Sequence, residues 1–547
     1  MTWLKDFLLL TLVIGTLFGA TLGNYPIDAP DSARYAEIPR EMVVTGDYIT
    51  PHLNGIKYFE KPPLFYWLQA ISIKACGANE LAVSIVNALM ALGCCLLIYF
   101  TGRKLYGRLS GMLASFIFAT SSLVFALTRV VTLDMALTFF LTGSLCSFLL
   151  ATQEPAGGKC SLYLWLMYIF AALAVMTKGL VGIVFPGIII LVWTIVFNQW
   201  RDIKTYRIVS GIFIFLLITL PWHILVQIKN PEFFHFYFFE QHFLRYLTDY
   251  AGRTQPWWFL PALFLGGLYP WVVFLPQAIM HHVPKQFSQW QQSKLIIFLL
   301  IWAVVIYVFY TFSSSQLIPY ILPILPPIAV LLGNYLATYW QSNQHRPITM
   351  GFNALLFLNI SLGIGAIAAI FMLNFDEQTI TRQNLYIAAA GVIIGAIVSV
   401  LCYRRRGLFF GFTAMFLTIS ALWLYISPII TIINKHTIKP LIITLQQKLK
   451  PEDEVICYGA YYQDLPFYLK RLVTVANYDG ELTFGMQHQD AKAWMIDTKT
   501  FWERWNSNKT VYLIVSANNY RSLQATTTTK MRIVDRHLDE VLVVNAK

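Results

Sequence analysis

Charge is what this sequence has least of. Only 12% of its 547 residues are Asp, Glu, Lys or Arg, and 57% are hydrophobic. Ordinary soluble domains carry about 25% charged residues, so an ordinary soluble class is excluded. Cysteine is also scarce. The seven present form no CxxC pair, and Cys94, Cys95, Cys146 and Cys402 lie in apolar runs. That excludes a disulfide framework and a zinc-finger pattern. No Walker loop occurs, and no GxGxxG in a strand–helix setting, which excludes the usual nucleotide-binding architectures. No A-x-A-like site follows the opening "MTWLKDFLLLTLVIGTLFGATLG". This run is therefore expected to remain as a first span and not to act as a cleaved signal peptide.

What is present in quantity is apolar sequence of bilayer length, with mean hydropathy +0.57. Such runs recur at 4–23, 80–101, 109–127, 133–152, 161–177, 179–198, 207–228, 258–280, 293–312, 318–340, 349–373, 384–402 and 408–431. The expected fold is a polytopic α-helical membrane protein with about thirteen transmembrane helices. An odd count puts the termini on opposite sides. With the N-terminus inside, the inner segments hold Lys5, "GRKLYGR", Lys159, "RDIKTYR", Lys285, Lys294, Arg346 and "YRRRG". That gives fourteen basic residues against Asp6, Glu154 and Asp202, the pattern of cytoplasmic loops. The net charge of +12 is thus a topology and inner-leaflet signal, with membrane lipids as partners and no nucleic acid.

Two parts are not spans. Residues 24–79 form a long first outer loop within a membrane domain covering 1–431. Residues 432–547 form a polar tail, also outside. There "TIKPLIITLQQKLKPEDEVICYG" predicts a helix then a strand, and "KTVYLIVSA" and "EVLVVNAK" predict further strands. A small C-terminal α/β domain is expected.

Ionisable residues near hydrocarbon are costly and mark function. Here they gather at the outer face: Asp28, Asp31, Arg34, Glu37 and Arg40, then Lys57, Glu60 and Lys61, then Arg129, Asp134, Lys178, Glu240, His242 and Arg245. "RYAEIPREM" and "YFEKPPLFYW" read as amphipathic pieces in the interface, aromatics toward lipid and charges inward. The double proline after Lys61 sets the chain direction and cannot continue a helix. Asp31 and Asp134 also suit helix capping, and Lys178 and Arg245 suit interface anchoring. His235 and His242 lie seven apart without a third ligand, so a zinc site is discounted. As a set, Lys61, Lys178 and Arg245 suit a phosphate, while Asp31 and Asp134 suit the hydroxyl or amine groups of a sugar. A donor at this face is expected to be a lipid-linked phosphate sugar drawn from the bilayer.

The stretch "DSARYAEIPREMVVTGDYITPHLNGIKYFEKPPLFYWL", followed in order by "TRVVTLDM", "KGL", "QHFLRY" and "SSSQLIPYILP", resembles the GT-C membrane glycosyltransferases. The likeness is greatest to the lipid A aminoarabinose transferases, relatives of the protein O-mannosyltransferases. The resemblance implies transfer of 4-amino-4-deoxy-L-arabinose from undecaprenyl phosphate to a lipid A phosphate, on the periplasmic side of a bacterial inner membrane. It implies that Asp31, Asp134, Lys61 and Arg245 are catalytic. Arg34, Tyr35, Tyr58, Lys178 and Tyr320 would line the cavity, and Glu60 and His242 are the places for a divalent metal, which is not a firm requirement. A sister reading keeps the fold with another polyprenyl-phosphate sugar and a protein or glycan hydroxyl acceptor, Asp31 then serving as base. A different class is a transporter or flippase. The clustering of charge at one face and the lack of broken helices in matched halves speak against it.

Overall fold

The computed structural model describes residues 2–248, 252–342, 346–372, 379–433, 437–526 and 530–545. Among them, ten helices are long and apolar enough to cross a bilayer. Phe259–Gly267 and Trp271–His282 add an eleventh span if this pair, bent by 96°, counts as one. Two further apolar helices, Arg108–Thr120 and Val181–Val196, are shorter. Every one of the thirteen expected runs has a helical counterpart, but these three are not plain spans. The causes are local. After Thr120 the backbone turns extended at Ser121 (ψ 131°), and a separate helix restarts at Ser122. Val181–Val196 has 16 residues, about 24 Å at 1.5 Å per residue, short of the ~30 Å hydrocarbon core. The bent pair breaks beside Pro270, which has no N–H to continue a helix.

The first helix, Thr2–Gly19, carries Asp6 near its start. Asp6 accepts from Arg103 at 2.7 Å and from Arg108 at 2.6 Å. The basic loop "GRKLYGR" therefore sits at the same end as the N-terminus, as the distribution of Lys and Arg predicts. The first loop leaves from the other end.

That loop folds into a helix, Asp31–Thr45, a tight hairpin and a second helix, Leu64–Cys76. The hairpin pairs β1 (His52–Leu53) with β2 (Ile56–Lys57). Its turn residues Asn54 (φ 53°) and Gly55 (φ 73°) are both left-handed, the geometry that Asn-Gly supplies at little cost. The expected orientation of the loop is corrected here. Its aromatics do not face lipid: Phe59, Phe65 and Tyr66 are at most 1% exposed. The stretch Ser32–Met42 is buried on all sides. Protein covers what the amphipathic pattern assigned to lipid.

Much of that cover is the C-terminal region. Strands β3 (Glu454–Tyr458), β4 (Thr474–Ala476), β5 (Met495–Ile496), β6 (Val511–Ser516), β7 (Met531–His537) and β8 (Glu540–Asn545) form one sheet in the order β5-β4-β3-β6-β8-β7. The β5–β4–β3–β6 part is parallel, and β8 and β7 complete it antiparallel. β3, β6 and β8 are the strands expected from their apolar runs; β4 and β5 are too short to show a pattern. The hairpin tip plugs into this sheet. Asn54 Nδ2 donates to Val473 O at 3.0 Å, and Asn54 Oδ1 accepts from Val473 N at 3.0 Å. Trp494 Nε1 donates to Asn54 O at 2.8 Å. A Cβ on Gly55 would lie 3.1 Å from Leu472 and 3.2 Å from Trp494, so the tip needs glycine for space as well as for φ.

Candidate active site

Asp31 opens the first-loop helix behind Pro30. One turn on, Arg34 Nη1 donates to Asp31 Oδ1 at 3.0 Å. Arg34 is buried, and its other amino group meets Glu481 of the C-terminal region. Gln463 fixes Glu481 in turn, donating to its Oε1 at 2.7 Å. The Arg34 guanidinium lies 5.6 Å from the Tyr58 ring and 6.0 Å from the Tyr35 ring. Both tyrosines are buried behind it. They border neither of the two cavities described below, so they back Arg34 where the family pattern implied cavity lining.

The hairpin register carries the chain from Lys57 through buried Tyr58 and Phe59 to Glu60 and Lys61. The helix beyond Pro62 and Pro63 starts at Leu64. The charged pair thus sits on a short, braced connector and not on a free turn.

Three membrane elements face it. Asp134 lies in the first turn of Leu133–Ala151, and Lys178 ends Gly158–Lys178. The two form an ion pair, and Lys178 Nζ sits 4.3 Å from the Tyr320 ring centre. Arg245 follows a π-helical stretch, His235–Leu244, a wide turn that often marks functional sites. Its Nη1 donates to Gln241 Oε1 at 3.2 Å and to Glu60 Oε2 at 3.4 Å. Gly179 explains the glycine of "KGL". It has φ +88°, and a Cβ there would lie 2.3 Å from His242 Nε2.

Two cavities meet at this ring. One, of about 400 Å³, is lined by Lys61, Lys178, His242, Arg245 and Tyr320 together with apolar groups including Leu180, Val184 and Phe309. The other, of about 770 Å³, is bordered by Arg34, Glu60, Arg245, Arg253 and the segment Gly480–His488 of the C-terminal region. Gln241 and Arg245 border both. Asp31 and Asp134 are joined to the cavities through their cationic partners, Arg34 and Lys178.

The electrostatics follow from this crowding. Burial would raise the Glu60 carboxyl, but Arg34, Arg245 and Lys61 outweigh it and bring it down to about 2. Glu60 is therefore a fixed anion. Burial, and then Arg245, pull the Lys61 ammonium down to about 7 against the opposing pull of Glu60. The charge on Lys61 therefore changes near neutral pH.

The residues do not fit a divalent metal. Both ring nitrogens of His242 are engaged with backbone: Nδ1 with Tyr237 O at 2.6 Å, and Nε2 accepting from Leu180 N at 3.3 Å. Glu60 is committed to Arg245. Among the described residues no group of three or more His, Cys, Asp or Glu could hold a metal ion.

Reasoning from the sequence missed Glu481, Gln463, Gln241 and Arg253. Gln241 was within reach, inside the quoted "QHFLRY". The other three lie in polar stretches with no local signature.

Comparisons with known proteins follow the same lines. A family model described as dolichyl-phosphate-mannose-protein mannosyltransferase matches residues 29–237. One described as aminoarabinose transferase C-terminal domain matches residues 441–545. The undecaprenyl phosphate-alpha-4-amino-4-deoxy-L-arabinose arabinosyl transferase of Shewanella sediminis is 28% identical over 490 residues, 87% of each chain. A protein of that name, numbered 1, from Pseudomonas fluorescens is 30% identical over 402 residues, 73% of this chain and 71% of that one. The fold is similar to the crystal structure of ArnT from Cupriavidus metallidurans bound to undecaprenyl phosphate, with TM-score 0.86, 24% identity and 98% of each chain covered.

Proposed function

Because this chain belongs to the family of undecaprenyl phosphate-α-4-amino-4-deoxy-L-arabinose arabinosyl transferases, we propose that it moves that sugar from undecaprenyl phosphate to a phosphate of lipid A at the periplasmic face of a bacterial inner membrane. It is a membrane glycosyltransferase, and the carrier reading falls away. The observation that carries the substrate reading is the composition of the first cavity. Lys61, Lys178 and Arg245 converge there against an apolar wall. That suits a phosphate attached to a polyprenyl chain.

In this reading Lys61 and Arg245 hold the donor phosphate, and Lys178 supports them. As the bond from the sugar to the donor phosphate breaks, negative charge grows on the departing undecaprenyl phosphate. Fixed cations lower the barrier most when they are already in place. Glu60 keeps Arg245 aimed, and Asp134 keeps Lys178 aimed. Asp31 and Asp134, standing behind Arg34 and Lys178, are the carboxylates placed to orient the sugar's amine and hydroxyls for in-line attack. An acceptor phosphate is already ionised near neutral pH, so no general base is needed. The product replaces a free phosphate by a phosphodiester bearing an amine. Its lower negative charge weakens binding of polymyxin and other cationic peptides.

Mass spectrometry of lipid A from cells with and without the chain tests this. The expected difference is a gain of one aminopentose. Identical lipid A in the two, with the chain present in the membrane, refutes the substrate assignment.

A further inference from the structure

We infer that a cavity at the basic-loop end of the molecule, bordered by Lys294 and Asp202, takes the phosphoethanolamine headgroup of a membrane phospholipid. The cavity measures about 500 Å³ and lies far from the charged ring. Two helices run from one to the other. Leu133–Ala151 carries Asp134 in its first turn and ends at the cavity with Ala151. Gly158–Lys178 starts at the cavity with Cys160 and ends in the ring with Lys178. From Asp134 to Ala151 the helix covers about 26 Å at 1.5 Å per residue. Glu154, which borders the cavity, pairs with Lys104 of "GRKLYGR", and the neighbouring Arg103 pairs with Asp6. The cavity thus belongs to the end where the distribution of Lys and Arg predicts the inner leaflet.

Three charged residues border this space: Glu154, Asp202 and Lys294. Glu154 is answered by Lys104, whose Nζ also donates to Tyr163 Oη at 3.0 Å. Among the described residues, no ion pair takes up Asp202 or Lys294. Lys294 Nζ lies 5.7 Å from the Phe197 ring centre, a contact that steadies the ammonium without neutralising it. A cation and an anion that border one space without meeting each other make it complementary to a zwitterion. The phosphate goes to Lys294 and a primary ammonium to Asp202, each through a charge-assisted hydrogen bond.

A buried donor points to the same kind of ligand. Trp193 is 2% exposed and borders the cavity, and among the described residues its Nε1 has no acceptor. An indole N–H buried without a partner is costly. A phosphate or ester oxygen in the cavity supplies the missing acceptor. The rest of the wall separates a lipid from a soluble zwitterion. Phe148, Leu164 and Leu295 line it with apolar surface. A free headgroup would leave that surface wet, whereas the glycerol and first methylenes of a phospholipid cover it. The bound lipid joins the end of Leu133–Ala151 to the connector Trp200–Thr205 and to the start of Lys294–Thr311. It is a resident of the fold and takes no part in transfer.

The test is native mass spectrometry of the full chain in detergent, titrated with phosphatidylethanolamine, phosphatidylcholine or phosphatidylglycerol of matched acyl chains. Phosphatidylethanolamine should bind about tenfold more tightly than phosphatidylcholine, whose ammonium has no N–H, and than phosphatidylglycerol, which has no ammonium. Lys294→Ala should weaken its binding by about tenfold, the loss of one charge-assisted hydrogen bond, and Lys294→Arg should retain it. Asp202→Asn should narrow the gap between phosphatidylethanolamine and phosphatidylcholine to about twofold. Asp202 lies exposed on its connector, so this variant keeps the test open if Lys294→Ala does not fold. Equal binding of the three lipids by the wild type, or a preference unchanged in both variants, overturns the site. Glycerophosphoethanolamine, the same headgroup without acyl chains, should bind at least tenfold more weakly than the lipid. Equally tight binding of it overturns the lipid assignment. None of these readouts depends on the sugar or its acceptor, so the substrate reading stands or falls separately.

Discussion

Lys61→Ala is expected to lower transfer by about 10²–10³-fold, the usual cost of removing one preorganised charge donor from a transition state. The chain should still insert and fold, because among the described residues Lys61 makes no ion pair that holds two elements together, whereas Arg245 is tied to Glu60 and Lys178 to Asp134. The effect is large because Lys61 sits where the donor phosphate is expected and is drawn down to about 7 by burial and by Arg245. The sign of the pH dependence follows. In the free site Lys61 loses its proton as pH rises through about 7. A bound phosphate pulls its pKa upward. Donor binding above pH 7 therefore takes up a proton, and donor affinity falls as pH rises, by at most about tenfold per pH unit. Binding of undecaprenyl phosphate measured from pH 6 to pH 9 should show this slope in the wild type and lose it in Lys61→Ala. Wild-type transfer in the variant, or a flat profile in the wild type, counts against the assignment.

Glu481→Ala should lower transfer by about ten- to hundredfold, although the residue lies 420 positions after Lys61 in a region with no span of its own. Arg34 is 6% exposed and holds Asp31 on one side and Glu481 on the other. Without Glu481 a buried guanidinium loses one of its two anions, a change worth about 1.5–3 kcal/mol for hydrogen bonds to charged groups. Arg34 then turns toward Asp31 or solvent, and Asp31 moves with it. Thermal unfolding should shift only a few degrees, because the hairpin tip at Asn54 and Gly55 still locks the C-terminal region to the first loop. Glu481→Gln should recover part of the activity by keeping a hydrogen-bond acceptor in place. Unchanged kinetics in Glu481→Ala would show that the C-terminal region only covers the site.

The gap between Lys61 and Glu481 marks what could be read from the sequence. The motif around Glu60 and Lys61 is dense, local and flanked by prolines, so its role stands out. The thirteen apolar runs stand out for the same reason, since bilayer length is a one-dimensional property. Two kinds of feature were hidden. Breaks within runs, at Ser121 and beside Pro270, leave composition almost unchanged while altering geometry. The covering of the first loop was hidden more deeply. An apolar face reads alike whether lipid or protein covers it, so Phe59, Phe65 and Tyr66 were assigned to lipid although the structure buries them. Glu481 and Gln463 had no signature at all, because their meaning comes only from Arg34, which is more than 400 positions away. The Asn54-Gly55 turn was the one available hint of a hairpin, and nothing near it says what the tip would touch.

The most direct measurement is a structure of this chain with undecaprenyl phosphate bound. The account predicts the phosphate within hydrogen-bonding distance of Lys61 and Arg245, its isoprenoid chain along Leu180, Val184 and Phe309, and the second cavity left open beside Arg253. A phosphate lodged instead among Arg34, Arg253 and His488, or at the end of the molecule that carries Asp6, would contradict it.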